Sequence, residues 1–231
     1  MQVLILCGGR GTRLNGERPK PLMEIGGHAI VWHVVSIYAA QGFRDFLLLT
    51  GYQGEEVERW AREAAWPEGV RVECVDTGLD TPTGGRVHRV RDRIAGPFSL
   101  TYADGVADVD LAALAARHRE TGALATMTVV RPELPFGVAV LDGDRVSGFR
   151  EKPQADQWVN GGFFVFEAAV LDYLSDDCVL EREPLERLAA DGALAAYRHP
   201  GFWRCLDTYK DKIALEEAWS AGRVAPWNSV S

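Results

Sequence analysis

An apolar run delivers straight into a glycine-rich, cationic turn at the head of this chain, and no other feature restricts its fold as strongly. Gln2-Val3-Leu4-Ile5-Leu6 reads as a buried strand. Cys7-Gly8-Gly9-Arg10-Gly11-Thr12-Arg13-Leu14 follows at once, with Pro19-Lys20-Pro21 a few residues on. Glycines let backbone N–H groups approach a phosphate chain with no Cβ in the way, and nearby cations neutralise its charge. The spacing is neither the G-x-G-x-x-G of a dinucleotide turn nor the G-x-x-x-x-G-K-[ST] of a P-loop. It points to nucleotide phosphates handled by another route.

The pattern downstream makes that strand part of an α/β sheet. Strand signals over residues 3–6, 45–50, 70–75, 98–102 and 125–130 alternate with helical ones over 29–41, 54–65, 83–94 and 110–121. Such alternation implies right-handed crossovers and a mostly parallel, Rossmann-like mixed sheet flanked by helices. The second half changes texture. Short strands are expected over 137–142, 145–150 and 161–166, with Leu141-Asp142-Gly143-Asp144 as a hairpin turn, and helices over 168–174, 184–191 and 208–222. No linker interrupts the 231 residues, so halves 1–122 and 123–231 are expected to share one sheet as a single domain.

Charge and cysteine content narrow the classes. A net charge of −8 gives no broad basic field for a nucleic acid, although a nucleotide needs only a local cluster of cations. Cys7, Cys74, Cys178 and Cys205 show neither metal-type nor disulfide-dense spacing, and read as reduced thiols. No apolar run is long enough to span a bilayer and the chain opens on a strand, so a cytoplasmic protein is expected. Trp203, Trp219 and Trp227 look exposed and are expected to make contacts in a homo-oligomer.

Three further segments carry candidate chemistry. In Tyr102-Ala103-Asp104-Gly105, Asp104 stands at the tip of an apolar strand beside a glycine, a setting that suits a hard cation such as Mg²⁺. Asp110 is the better cap for the following helix. Asp207 could cap the last helix, but paired with Asp104 it completes a two-carboxylate magnesium site. Lys152, in Glu151-Lys152-Pro153, is a point charge for a second phosphate, and Asn160, in Asn160-Gly161-Gly162, suits sugar hydroxyls. The histidines form no zinc pattern, and no serine or cysteine has the setting of a nucleophile.

These segments together resemble the sugar-1-phosphate nucleotidylyltransferases. Residues 6–14 with Pro19-Lys20-Pro21 and Glu151-Lys152-Pro153 carry the likeness. Asp76-Thr77-Gly78, Thr83-Gly84-Gly85-Arg86, Asn160-Gly161-Gly162-Phe163-Phe164 and His199-Pro200-Gly201-Phe202-Trp203 narrow it to the cytidylyl branch. The resemblance implies the nucleotide-diphospho-sugar transferase fold, with small β insertions on the sugar-binding side.

It further implies that Leu6, Gly8, Gly9, Gly11, Thr12 and Arg13 hold a nucleoside triphosphate, with Ala103 beside it. Thr83, Gly84 and Gly85 would lie along its base. Lys20 would bridge the two phosphates, Asp104 and Asp207 would hold Mg²⁺, and Arg13, Lys20 and Asp104 would be catalytic. Gly137, Glu151, Lys152, Asn160 and Gly161 would bind the sugar-1-phosphate. Arg89 lies in a segment from which this branch lends a cation to a neighbouring subunit. Cys7, Arg10 and Ala103 depart from the usual pattern, and residues 62–75 are shorter than their counterpart.

The implied reaction is magnesium-dependent transfer from CTP to a hexose-1-phosphate, α-D-glucose 1-phosphate first, with release of pyrophosphate. The same loops could take dTTP, UTP or another sugar phosphate. A non-catalytic NDP-sugar-binding regulator is the reading from a different class, and it would not need both metal carboxylates.

Overall fold

The computed structural model describes residues 1–10, 18–222 and 225–228. Thirteen strands are described: β1 (Gln2–Leu6), β2 (Glu24–Ile25), β3 (His28–Ala29), β4 (Asp45–Thr50), β5 (Arg71–Asp76), β6 (Phe98–Tyr102), β7 (Gly105–Ala107), β8 (Ala125–Val130), β9 (Val138–Asp142), β10 (Arg145–Arg150), β11 (Val159–Phe166), β12 (Leu194–Arg198) and β13 (Trp203–Cys205). The α-helices are α1 (Ile30–Ala40), α2 (Gly54–Glu63), α3 (Thr83–Arg89), α4 (Leu111–Thr121), α5 (Glu183–Ala190) and α6 (Tyr209–Ser220).

Seven strands form the central sheet, in the order β12-β8-β11-β6-β1-β4-β5. Every pairing is parallel except those of β11, which runs antiparallel to β6 and β8. Six strands therefore end at one edge, where an open α/β sheet places its ligands. The β9–β10 hairpin is a separate ribbon turning at Gly143-Asp144, and β7 with β13 forms another small pair.

Alternation along β1 fills both faces of the sheet. Val3 and Ile5 enter one core with α1, α4 and α6, while Leu4 and Leu6 enter the other with α3 and α5. Helix starts follow local chemistry. Asp110 caps α4 by accepting from the Ala113 N–H at 2.8 Å. Thr208, not Asp207, caps α6, and Asp211 closes the capping box.

One strand was not expected from the sequence, and one expectation is corrected. The strand β12 carries little signal, because Leu194-Ala195-Ala196-Tyr197-Arg198 has small residues where alternation would show. Trp227 is not exposed: it is 1% accessible, and Trp203 and Trp219 pack partly buried against the same core. Several of the large exposed apolar residues lie on and beside the hairpin, among them Phe136, Leu141, Val146 and Phe149.

The core around Trp227 holds a buried histidine. His33 Nε2 lies 2.9 Å from the Ile25 carbonyl, and Trp227 Nε1 donates to His33 Nδ1 at 3.3 Å. A carbonyl needs a donor and an indole N–H needs an acceptor, so the neutral Nε2–H tautomer satisfies both. Burial lowers the His33 pKa from 6.5 to about 4. The unfolded chain therefore takes a proton first as pH falls. Stability from this group is full above about 6.5 and declines toward pH 4, by up to about 3 kcal/mol. Urea titrations from pH 7 to 4.5 should show a steeper loss for the wild type than for His33→Gln; parallel curves would clear His33 of the effect.

Candidate active site

A cleft of about 400 Å³ opens at the carboxyl edge of the sheet, between the ends of β1 and β6. Leu6, Gly8 and Gly9 form one wall, Thr81, Pro82, Thr83 and Arg86 another, and Lys20, Ala103, Asp104 and Asp207 the floor. Adjacent parallel pairing of β1 with β6 brings the glycine loop and the Asp104 loop together, and the Ala103 N–H donates to the Leu6 carbonyl at 3.2 Å. Gly11, Thr12 and Arg13 lie outside the described residues.

The two carboxylates meet across one ammonium. Lys20 Nζ donates to Asp104 Oδ2 at 2.5 Å and to Asp207 Oδ1 at 2.7 Å. Asp104 arrives from the end of β6, Asp207 from the segment after β13, and the pairing of β7 with β13 draws the two together. The Leu206 N–H donates to the Asp104 carbonyl at 2.8 Å, locking the two loops in register. Burial works against the charge of Lys20, and the two carboxylates outweigh it, so its pKa is raised. Cys205 Sγ lies 3.5 Å from Asp207 Oδ2; burial first, then Asp207 and Asp104, push that thiol up to about 12. It stays protonated and is no nucleophile.

A cation therefore fits between Asp104 and Asp207, because the protein already holds one there. The donors are hard oxygens, which suit Mg²⁺. Among the described residues no group of three or more His, Cys, Asp or Glu side chains is placed to hold a metal. A magnesium ion here would rest on the two carboxylates, with phosphate oxygens and water completing its shell.

Arg86 is the residue whose importance the sequence reading missed. It is 4% exposed, and its Nη1 donates to the Thr50 carbonyl and Thr77 Oγ1, each at 2.7 Å, and to the Gly78 carbonyl at 2.9 Å. Its Nη2 donates to the Gly8 carbonyl at 3.0 Å. One guanidinium thus joins the glycine loop to the ends of β4 and β5. Gly8 is a glycine partly for this reason, since a Cβ there would lie 2.1 Å from Arg86 Cζ. The signal was available in Thr83-Gly84-Gly85-Arg86, where two glycines bring a long cation close to backbone.

Those two glycines are placed differently from expectation. Thr83 lines the cleft, but Gly84 and Gly85 are buried beneath residues 176–180. A Cβ on Gly84 would meet Cys178 Sγ at 2.4 Å, and one on Gly85 the Asp176 carbonyl at 2.1 Å. Their small size serves that packing. Arg89 is likewise held locally, with Nη1 donating to the Thr77 carbonyl at 2.7 Å and to Thr81 Oγ1 at 2.8 Å.

The sugar-side candidates divide into two groups. Asn160 and Gly161 lie beside Tyr102 and Asp104 in a small pocket next to the main cleft. Trp203 Nε1 donates to the Gly161 carbonyl at 2.7 Å, and His199 Nε2 faces the Phe202 carbonyl at 3.0 Å, so the His199–Trp203 motif braces this pocket. Gly137, Glu151 and Lys152 sit on the hairpin side, outside the lining of both pockets. Gly137 packs beneath Phe149 against the Glu151 carboxylate, and Lys152 is exposed with a left-handed backbone, φ 43°.

Comparison with known proteins identifies the family. The family model described as "Nucleotidyl transferase" matches residues 2–197, which includes the glycine loop, Lys20, Asp104 and all but the last residue of the central sheet. The chain belongs to the nucleotidyl transferase family. Among its relatives in this family, the glucose-1-phosphate cytidylyltransferase of Salmonella typhi is 39% identical over 256 residues, covering 99% of each chain. That of Salmonella typhimurium is 39% identical over the same span. An alignment of 256 residues exceeds the chain's 231, so these transferases carry residues that this one lacks. Here α2 passes to β5 through only residues 64–70. HddC from Yersinia pseudotuberculosis, solved in complex with GMP-PN, shares the fold with a TM-score of 0.76 at 20% identity, covering 95% of this chain and 99% of that one. No helix among the described residues is long and apolar enough to cross a membrane.

Proposed function

We propose that this chain transfers a cytidylyl group from CTP to α-D-glucose 1-phosphate, with Mg²⁺, giving CDP-glucose and pyrophosphate. The observation that carries the reading is the Lys20 ammonium bridging Asp104 and Asp207 on the floor of a cleft walled by Gly8 and Gly9. The names of the relatives at 39% identity support the base and the sugar. A sensor that only held an NDP-sugar would have no use for a cation shared by two carboxylates. A cytoplasmic homo-oligomer is part of the same proposal.

In this reading Gly8, Gly9 and Gly11, with Leu6, Thr12, Arg13 and Ala103, hold the triphosphate, and Thr83 stands beside the base. Asn160 and Gly161 hold the sugar, and Lys152 and Glu151, with Gly137, come to it from the hairpin. An oxygen of the sugar phosphate attacks the α-phosphorus in line. The new P–O bond forms as the bond to the bridging oxygen of pyrophosphate breaks, and the electron pair leaves with pyrophosphate. A phosphate monoester is already an anionic nucleophile, so no general base is required. Lys20 moves from the carboxylates to the phosphates and stabilises the charge spread over the equatorial oxygens. Bound between Asp104 and Asp207, magnesium would neutralise charge on the triphosphate.

A pyrophosphate-release panel tests the proposal, pairing CTP, dTTP, UTP, GTP and ATP with glucose-1-phosphate and mannose-1-phosphate. CTP with glucose-1-phosphate should give the highest kcat/KM, and a chelator should abolish turnover until magnesium is returned. A different best pair reassigns the substrates; chelator-resistant turnover removes the metal from the scheme.

A further inference from the structure

We propose that Glu181 is a positioning residue that fixes the nucleotide side and the sugar side of the cleft relative to each other. The inference rests on the reading of the cleft given above. Glu181 stands just before α5, outside every motif that pointed to the site. Its Oε2 accepts from Thr83 Oγ1 at 2.6 Å, and its Oε1 accepts from Tyr102 Oη at 2.5 Å. The chain of bonds continues on each side. Thr83 Oγ1 accepts from the Leu180 N–H at 2.9 Å, and Tyr102 Oη accepts from Asn160 Nδ2 at 3.2 Å. Asn160 Oδ1 in turn accepts from the Gly162 N–H at 2.8 Å.

The direction of every proton in this chain follows from one fact. An ionised carboxylate only accepts, so both hydroxyls must donate to it. With its proton committed, the Tyr102 oxygen presents its lone pair to Asn160. The Gly162 N–H meanwhile fixes which end of the Asn160 amide faces Tyr102. Burial and the Glu181 carboxylate both raise the Tyr102 pKa, so the phenol keeps the proton it donates. The result is a chain of hydrogen bonds that converges on the Glu181 carboxylate, from Thr83 on the nucleotide side and from Asn160 through Tyr102 on the sugar side.

Folding does not require the carboxylate. Leu180 is fully buried in the core, and the segment is independently held by the Gly85 N–H donating to the Cys178 carbonyl at 3.2 Å and by Leu180 N–H on Thr83. Glu181 itself is exposed, yet both its oxygens turn to cleft hydroxyls. Glutamine keeps the size of the side chain but removes its charge: the amide nitrogen cannot accept from one hydroxyl, and the neutral amide oxygen holds the other more weakly than a carboxylate does, so both sides are loosened.

Steady-state kinetics on the best substrate pair of the wild type provide the test, with Glu181→Gln, Tyr102→Phe and the double variant. Glu181→Gln should raise KM for both the triphosphate and the sugar phosphate by about three- to ten-fold each, the scale of one or two lost hydrogen bonds. Its melting temperature should stay at the wild-type value. In the Tyr102→Phe background the sugar-phosphate effect of Glu181→Gln should vanish, because the chain of bonds is already cut, while the triphosphate effect through Thr83 persists. Additive sugar-phosphate effects, or a KM rise accompanied by a fall in melting temperature, would overturn the proposal. If Tyr102→Phe does not fold, the two-sided KM rise of the single variant decides it, and a one-sided rise rejects it. Wild-type protein inactive with every pair would instead defeat the proposed function.

Discussion

Lys20→Ala should cut pyrophosphate release by about 10²–10³-fold, the usual loss when one preorganised charge is removed from a transition state. A second consequence follows from where the ammonium sits. In the native protein it serves both Asp104 and Asp207, so its removal leaves two carboxylates facing one another without the charge they share. Their repulsion disfavours the folded state. The melting temperature of Lys20→Ala without magnesium should therefore fall below that of the wild type. Added magnesium should raise it by more than it raises the wild type, because the ion no longer competes with a lysine. Thermal denaturation with and without magnesium measures this apart from turnover. Near-normal pyrophosphate release would remove Lys20 from the chemistry, and equal magnesium shifts in the two proteins would refute the competition.

Arg86→Leu should cost about 2–4 kcal/mol of stability, read from urea midpoints. The substitution takes a charged donor from the carbonyls of Gly8, Thr50 and Gly78 and leaves a void among them. Arg86→Lys should recover little, because an ammonium cannot reach three separate loops as a planar fork does. The KM for the triphosphate should rise in both variants, since the glycine wall loses the group that fixes it. Wild-type stability in Arg86→Leu would show that the loops are held by their backbone bonds alone.

The readable parts of this site were those that announce chemistry one residue at a time. Asp104 and Asp207 each end an apolar stretch, and their pairing could be argued from the logic of a two-carboxylate site. The glycine loop stood out because its spacing has few structural uses. What stayed hidden depended on three-dimensional partners. Lys20 could be read as a phosphate ligand, but its position between the carboxylates comes from loops far apart in the chain. Gly84 and Gly85 illustrate the ambiguity of small residues: the absence of a Cβ admits a ligand or a neighbouring backbone equally well, and here residues 176–180 fill the space. Arg86 stood in a motif, Thr83-Gly84-Gly85-Arg86, whose spacing did not say what the guanidinium would hold, and Glu181 sits in no pattern that sequence spacing reveals. The hairpin turn was legible from Asp142-Gly143-Asp144, whereas β12 was not, because alanines do not show which face is buried.

The central position of β6 has a mechanical consequence. It carries Asp104 at its end and is laddered on one side to β1, which leads into the glycine loop, and on the other to β11, which carries Asn160. The proposed supports for both substrates are therefore joined through one strand. A clamshell motion between the two halves would have to tear the ladder from Phe163↔Thr101 to Phe166↔Phe98. The β9–β10 ribbon is paired outside that sheet, so it and the loops can shift without breaking a ladder of the central sheet.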